Sequence, residues 1–331
     1  ISDKMDLSII IVNYRTYKLS KETILSVFEN KPLIDYEIIL VDNNSNDKSI
    51  EKLEDDFKKE IIDKTLKIIK LNVNKGFAYG NNKGIKIASG DYILLLNSDT
   101  IVKKDTLDST IQYMKTHGDI GALGCKILLP NGELDKAARR NFPTPQNAFN
   151  KFFGFLNLSR IKKKNNKNKK NNENKKNNEN NNKNKKNNEN KKDNDKKINN
   201  YNIADLDENE IYEVDSIVGA FMLVNRKTIN KIGLLDEDFF MYGEDIDWCY
   251  RIKKGGWKVI YYGKSEIIHY KGGSSKKQSN KLIYHFYKSM HIFYKKHYSN
   301  SYSFITKISV YLGILILLTI KLFLNIFKKK T

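Results

Sequence analysis

The chain has 331 residues, 40% of them hydrophobic, and a formal net charge of +20, which bounds it to one α/β domain of roughly 250 residues plus an appendage. Two cysteines, Cys125 and Cys249, exclude a disulfide scaffold and fit a reduced, cytosolic environment. Residues 162–197 carry 15 Lys, 5 acids and 16 Asn, hence +10 of the +20. The charge is therefore weak support for a nucleic-acid binder, and no nucleic acid is expected as a partner.

In chain order, LSIIIVN (7–13) reads as a buried strand and not a secretory signal, because it is strand-length and polar residues follow. A helical pattern over 18–29 closes at Asn30-Lys31-Pro32, and YEIILVD (36–42) is the next strand. NNSND forms a turn and helix start; LKIIKLN (66–72), a helix over about 77–88 and YILLLN (92–97) follow. Apolar runs without alternation, separated by helices, predict a mostly parallel sheet covered on both faces. Asn13, Asp42 and Asn97 then lie at its carboxyl edge, where open α/β sheets bind ligands. No GxGxxG follows the first strand, so a Rossmann dinucleotide fold drops out.

The tract 162–197 repeats KNKKNNEN at 167–174 and 183–190 and offers nothing apolar to bury. It reads as a disordered insertion, with RNA or anionic-lipid binding as the alternative. Residues 281–298 place Ile283, Phe286, Tyr287, Met290 and Tyr294 at helical spacing, as in an interfacial amphipathic helix. ISVYLGILILLTIKLFLNIF (308–327) is long enough to cross a bilayer. Membrane attachment is expected, spanning or lying flat, against a buried terminal helix pair. The expected layout is a domain over 5–160 and 198–275, an amphipathic helix over 278–299 and a hydrophobic helix over 304–327.

Several clusters are candidates for chemistry. In LLLNSDT (94–100), Asn97 and Asp99 stand two apart, which in extended chain turns both to one side, toward one hard cation. A turn capping the next helix explains them equally well. NVNKGFAYGNNKG (72–84) crowds glycines and asparagines around a helix start, where a phosphate or ribose approaches free N–H groups; close helix–sheet packing is the alternative. FFMYGEDIDWCYRIKKGGW (239–257) sets Glu244, Asp245 and Asp247 in a helix first turn ended by Gly255-Gly256. Asp247 and Arg251, four apart, form an expected structural pair. The aromatic run before them predicts desolvation that raises a carboxyl pKa, as suits a general base. His269, in IIHYKGGSS, ends a further strand.

The ordered set IIIVNY, VDNNSND, NKGFAYGNN, LLLNSD, VGAFMLV, GEDIDW and HYKGGSS resembles the family 2 glycosyltransferases, over about 7–160 and 211–300. It is most similar to a rhamnosyltransferase-like branch that extends bacterial surface polysaccharides. The resemblance implies a GT-A fold and an inverting transfer from a nucleoside-diphosphate sugar with Mg²⁺ or Mn²⁺. The donor is expected to be dTDP-rhamnose or a UDP-sugar, and the acceptor a lipid-linked or growing glycan at the cytoplasmic face of the cell membrane. By similarity Asn13 and Tyr14 border the base, Asp42 accepts a hydrogen bond from it, and Asn74, Gly76 and Asn81 lie beside ribose and diphosphate. Asp99 matches the metal-binding acid, Asn97 stands where an acid is usual, and His269 completes the metal or diphosphate site. Asp245 matches the base; Glu244 and Asp247 orient the acceptor or the helix. Arg139, Arg140 and Trp248 are candidate acceptor or phosphate contacts. The alternatives are another hexosyl- or N-acetylhexosaminyltransferase of this fold and a non-catalytic, membrane-anchored nucleotide-binding protein.

Overall fold

The first strand, β1 (Leu7–Asn13), is apolar from Ile9 to Val12 and buried along nearly its whole length. A strand with no solvated face needs cover on both sides. The helix α1 (Tyr17–Glu29) starts that cover and stops at Asn30, whose side-chain Nδ2 donates to the Ser26 carbonyl two residues before Pro32. Next come β2 (Tyr36–Asp42), α2 (Ser49–Asp56), α3 (Lys58–Ile62), β3 (Leu66–Lys70), α4 (Phe77–Ile87) and β4 (Tyr92–Asn97). The computed structural model describes residues 5–145, 201–203, 206–271 and 279–328, with the side chains of 327 and 328 excepted. The Asn/Lys tract 162–197 and the Gly-Gly-Ser-Ser of 272–275 lie outside the described residues.

The chain then runs through β5 (Thr100–Val102), α5 (Thr106–Thr116), β6 (Ile120–Leu128) and β7 (Arg139–Arg140). Further along the chain come β8 (Ile211–Glu213), β9 (Ser216–Ile217), β10 (Phe221–Asn225), α6 (Arg226–Ile232), α7 (Glu244–Lys254) and β11 (Lys258–His269). Two helices finish the chain, α8 (Asn280–His297) and α9 (Phe304–Lys328). The main unit comprises Ile1–Arg139 and Asp207–Thr331; the second is Arg140–Leu206, in whose described part Asn141 N–H donates to Tyr201 O.

The sheet has nine strands in the order β3-β2-β1-β4-β10-β6-β11-β5, with β8 paired to β11. Its first half is parallel, as expected, but β10 enters antiparallel to both β4 and β6. The sheet is thus mixed: four pairings are parallel (β1–β2, β1–β4, β2–β3, β6–β11) and four antiparallel (β4–β10, β6–β10, β5–β11, β8–β11). A five-residue strand as apolar as FMLVN gives no sign of its direction, because buried parallel and antiparallel strands share one pattern.

The reversal gathers the functional edge. β6 and β11 run with β1, β2 and β4, so Asn13, Asp42, Asn97 and His269 all end strands at the same edge. The reversed β10 begins at that edge instead of ending there. On one face α4 lies close to β1. A Cβ on Gly84 would come 2.6 Å from Ile10 Cγ2, and one on Gly80 3.0 Å from Val12 Cγ1. These glycines, four apart, let the helix backbone sit down on the strand. Gly84→Val therefore forces α4 off the sheet and costs about 1–3 kcal/mol. It should lower the urea midpoint at unchanged slope, and an unaltered midpoint would refute the close packing.

Candidate functional site

At the carboxyl edge of β1, Asn13 is fully buried and used on both ends. Its Nδ2 donates to Asp42 Oδ1 at 2.7 Å, Ser45 Oγ at 3.0 Å and Ser49 Oγ at 3.1 Å; its Oδ1 accepts from the Thr16 and Ser20 hydroxyls at 2.9 Å. Asn13 is thus the hub that shapes the β1 and β2 ends, and no face of it is left to border a base. Asp42 is held by Asn13 and by the Ser45 backbone N–H at 3.1 Å, whereas Tyr14 remains 38% exposed beside them. Asn43, passed over in the motif VDNNSND, is buried and donates to both Asn74 Oδ1 and Gly76 O at 3.1 Å.

Asn74 Oδ1 also accepts from Gly76 N–H at 2.9 Å. Gly76 has φ +101°, and a Cβ there would lie 2.0 Å from the Phe240 carbonyl oxygen, so only glycine fits. The N-terminus of α4 is pinned to the same carbonyl, which accepts from Phe77 N–H at 2.8 Å. Asn81 is buried with its Nδ2 donating to Phe77 O, one turn back on its own helix.

The end of β4 meets the end of β11. His269 Nε2 lies 3.1 Å from Asp99 Oδ1 and 3.3 Å from Asn97 Nδ2. The two-residue spacing of Asn97 and Asp99 does not act through strand alternation. β4 stops at Asn97, Asp99 sits in the turn before β5, and a Tyr270 N–H bond to Asp99 O fixes that turn against β11. Asp135, which no sequence motif marked, stands 3.6 Å from His269 Nδ1 through Oδ2 and accepts from Lys271 Nζ at 2.7 Å through Oδ1. Burial alone would lower the His269 pKa, but the carboxylates of Asp135 and Asp99 on either side outweigh it and raise it to about 9. Burial would likewise raise Asp135; His269 and Lys271 hold it well below the usual carboxylate range.

Among the described residues no group of three or more His, Cys, Asp or Glu is placed to hold a metal ion by itself. The donor set still fits a hard cation that shares its shell with a ligand: one carboxylate (Asp99), one imidazole (His269) and the buried Asn97 Oδ1, which has no hydrogen-bond partner. Mg²⁺ sites of this economy are completed by phosphate oxygens and water.

Across the sheet, Asp245 opens α7 behind Gly243 (φ +86°). It is buried, and its Oδ2 accepts from Gly219 N–H at 3.2 Å while Oδ1 accepts from Ile246 N–H at 2.8 Å. The next residue, Ala220, accepts from Asn97 N–H at 3.1 Å. Two adjacent residues leading into β10 thus tie the Asp245 carboxylate and the Asn97–Asp99 turn to one edge.

A family model described as Glycosyl transferase family 2 matches residues 8–233, more than half of the chain. The chain belongs to glycosyl transferase family 2. It is 35% identical over 75 residues to the N-acetylglucosaminyl-diphospho-decaprenol L-rhamnosyltransferase of Mycobacterium tuberculosis, covering 23% of this chain and 24% of that one. It is 25% identical over 205 residues to rhamnosyltransferase WbbL of Escherichia coli, covering 59% and 61%. The chain spans less than two thirds of both relatives. The crystal structure of GalNAc-T7 with UDP, GalNAc and Mn²⁺ superposes with TM-score 0.56 at 14% identity, over 89% of this chain and 49% of that one. The fold is GT-A.

The remaining expected site residues of this family 2 chain have other duties. Trp248 is fully buried and its indole N–H donates to Gly233 O, so it is core and presents no face to an acceptor. Arg139, expected as an acceptor or phosphate contact, is also buried. Its guanidinium lies over the Tyr261 and Tyr212 rings at 4.8 and 5.7 Å and donates to Asp207 O. Arg140, in the second unit, is buried and bridged to Asn202.

The three acids of α7 separate. Glu244 is buried in the first turn. Asp247 is fully buried: Arg251 Nε donates to its Oδ2 at 2.8 Å, and Oδ1 meets Lys296 Nζ at 2.8 Å and His297 Nε2 at 2.7 Å. Burial alone would raise this carboxyl, as the sequence predicts for the cluster. The His297 hydrogen bond and the Arg251 and Lys296 charges prevail and bring it down to about 2. Asp247 binds fewer protons folded than unfolded, so its stabilisation is complete above the unfolded value near about 3.9 and drains as pH falls toward the folded one. Asp247→Asn should cost about 2–3 kcal/mol in urea denaturation at pH 6, with the gap to wild type narrowing below pH about 4. A gap independent of pH would remove the ion cluster as its cause.

Proposed function

We propose that the chain is an inverting sugar transferase, taking a sugar from a nucleoside diphosphate and placing it on a hydroxyl of a lipid-linked or growing surface glycan. The observation that carries this reading is the placement of Asp245 and of the Asp99–His269 pair at one sheet edge, joined through the adjacent backbones of Gly219 and Ala220. Displacement at an anomeric carbon needs both halves: a base for the incoming hydroxyl and charge stabilisation for the departing diphosphate.

In this reading Asp245 takes the acceptor O–H proton as that oxygen bonds to the anomeric carbon. The bond from that carbon to the diphosphate oxygen breaks, and the electron pair leaves with the nucleoside diphosphate. The Gly219 N–H aims the carboxylate. Asp99, His269 and Asn97 Oδ1 would hold Mg²⁺ or Mn²⁺, which supplies Lewis-acid stabilisation to the leaving group when bound. Tyr14, with Asp42 behind it, borders the base, and Asn74, Gly76 and the α4 N-terminus receive ribose and diphosphate.

Rhamnose, carried by dTDP or UDP, is the favoured sugar, because two similar proteins are named rhamnosyltransferases. One of those names specifies a lipid-linked acceptor, which suits a chain whose α9 is long and apolar enough to cross a bilayer. The site is assigned to the cytoplasmic face of the membrane, in keeping with Cys125 and Cys249, which are buried and not joined in a disulfide.

Two measurements test the reading. Asp245→Asn should lower kcat by about 10²–10⁴-fold with little change in donor KM; transfer at the wild-type rate would remove Asp245 as base. In a thermal-shift panel, dTDP or UDP with Mn²⁺ should raise Tm and GDP should not. The Mn²⁺-dependent part of the shift should vanish in Asp99→Ala, and its survival would refute the cation assignment.

A further inference from the structure

The hydrophobic helix α9 is sufficient by length and composition to cross a membrane, but its packing does not suit a crossing. From the short turn Ser299–Ser301 the chain doubles back, and α9 runs antiparallel along α8. Tyr311 packs on Tyr294 (ring centroids 5.5 Å apart) and on His291 (4.8 Å), and Asn325 Nδ2 donates to Asn280 Oδ1 at 2.7 Å. The contact therefore follows α8 from Tyr294 back to Asn280, about 21 Å of helix.

The other side of α8 is bound to the catalytic body. Ser289 and Phe293 are buried, His285 stacks on Phe240 at 4.2 Å, and Lys296 and His297 close on Asp247. A vertical α9 in this arrangement would carry α8, its lysines and the body behind it to bilayer depth. Charged groups there are costly.

Three features of the hairpin instead describe a surface that lies flat. First, the outward face of α9 is a continuous apolar stripe: Ile305, Ile308, Leu312, Leu315, Ile320 and Phe323 are between 43% and 76% exposed. The two lysines of the span, Lys307 and Lys321, fall about 160–200° around the helix from Ile305. Second, the hydroxyls of Ser309 and Thr319, within that stripe, donate to the carbonyls one turn back, Ile305 O and Leu315 O, at 2.9 Å. Neither hydroxyl therefore brings an unsatisfied donor to an acyl boundary. Third, α8 shows an exposed row at seven-residue spacing, Lys281, Lys288 and Lys295, with Lys281 Nζ also 4.8 Å over the Phe240 ring. Beside an apolar stripe, such a row is complementary to anionic headgroups.

We infer that the α8–α9 hairpin is a monotopic anchor: α9 lies in the plane of an anionic lipid surface with its stripe at the acyl boundary, and does not cross the bilayer. This rests on the membrane association proposed above and adds its geometry. The catalytic body is then held against one leaflet, within reach of an acceptor whose lipid lies in that leaflet.

The test uses the full chain with Ile308→Cys, Leu315→Cys or Phe323→Cys, each carrying an environment-sensitive fluorophore; the native cysteines are buried and will not label. Bound to phosphatidylglycerol-containing vesicles, all three labels should be quenched more by nitroxides near the headgroups than by nitroxides at the chain ends. Lys288→Gln with Lys295→Gln should weaken binding to anionic vesicles about 10–30-fold and leave the weak binding to neutral vesicles as it was. If Leu315 is quenched most by chain-end nitroxides while Ile308 and Phe323 are shallow, α9 spans and the flat anchor is overturned, though membrane association stands. If the chain neither sediments with vesicles nor is quenched, or forms a dimer that shields the stripe, membrane association itself falls.

Discussion

The direction of one five-residue strand organises everything else. β10 enters the sheet antiparallel to β4, with Phe221 opposite Leu96, so the residues that precede it arrive at the edge where the other strands end. Gly219 and Ala220 then stand side by side, one amide held by Asp245 and one carbonyl held by Asn97. Leu94, Leu95, Leu96, Phe221 and Met222 are nearly or wholly buried around this junction. The register that places Asp245 and the Asn97–Asp99 turn is thus fixed by core packing, and a one-residue slip would turn every side chain to the opposite, differently packed face. Gly219 has little freedom either, since a Cβ there would approach the Phe77 ring to 3.2 Å.

The carboxylates of α7 show how neighbours in a helix acquire different duties. Asp245 and Asp247 share a first turn, and the helix dipole favours both. Asp247 points to Arg251, Lys296 and His297 and becomes a buried ion cluster. Arg251 extends that cluster to the carbonyls of Ile232 and Leu234, and Lys296 also reaches Asp236. The helix that offers Asp245 and the end of the helix that carries the hairpin are therefore clamped by the same carboxylate. The proposed lipid attachment of the hairpin and the proposed base are thereby mechanically one unit.

Most of the first half of the fold was legible because its strands are unbroken apolar runs with turn residues between them, and the observed β1, β2 and β4 coincide with 7–13, 36–42 and 92–97. The mixed half was not, because FMLVN carries no directional signal. Asp99 and His269 were legible as partners through resemblance, yet the physical reason for their meeting is a turn locked to β11 and not strand alternation. Asp135 left no local signature, since its role appears only when Lys271 and His269 arrive from 136 and 134 residues away. Trp248 and Arg139 misled for one reason: both residue types are common at binding surfaces, and burial of an arginine is rare enough that no sequence pattern announces it.

The neutral residue at 97 follows from the charges around it. Asp99 and Asp135 are already balanced by Lys271 and by the raised affinity of His269 for a proton, all within hydrogen-bonding or ion-pair reach of one another; His269 would have to give up that proton to serve as a metal ligand. A third carboxylate at 97, beside Asp99 and largely out of water, would add like-charge repulsion that only a permanently bound cation could offset. An amide supplies an oxygen to the same place without the charge. In the proposed function, such a site would be stable before its ligand arrives and would take up a cation most favourably together with a diphosphate, whose own negative charge would complete the shell.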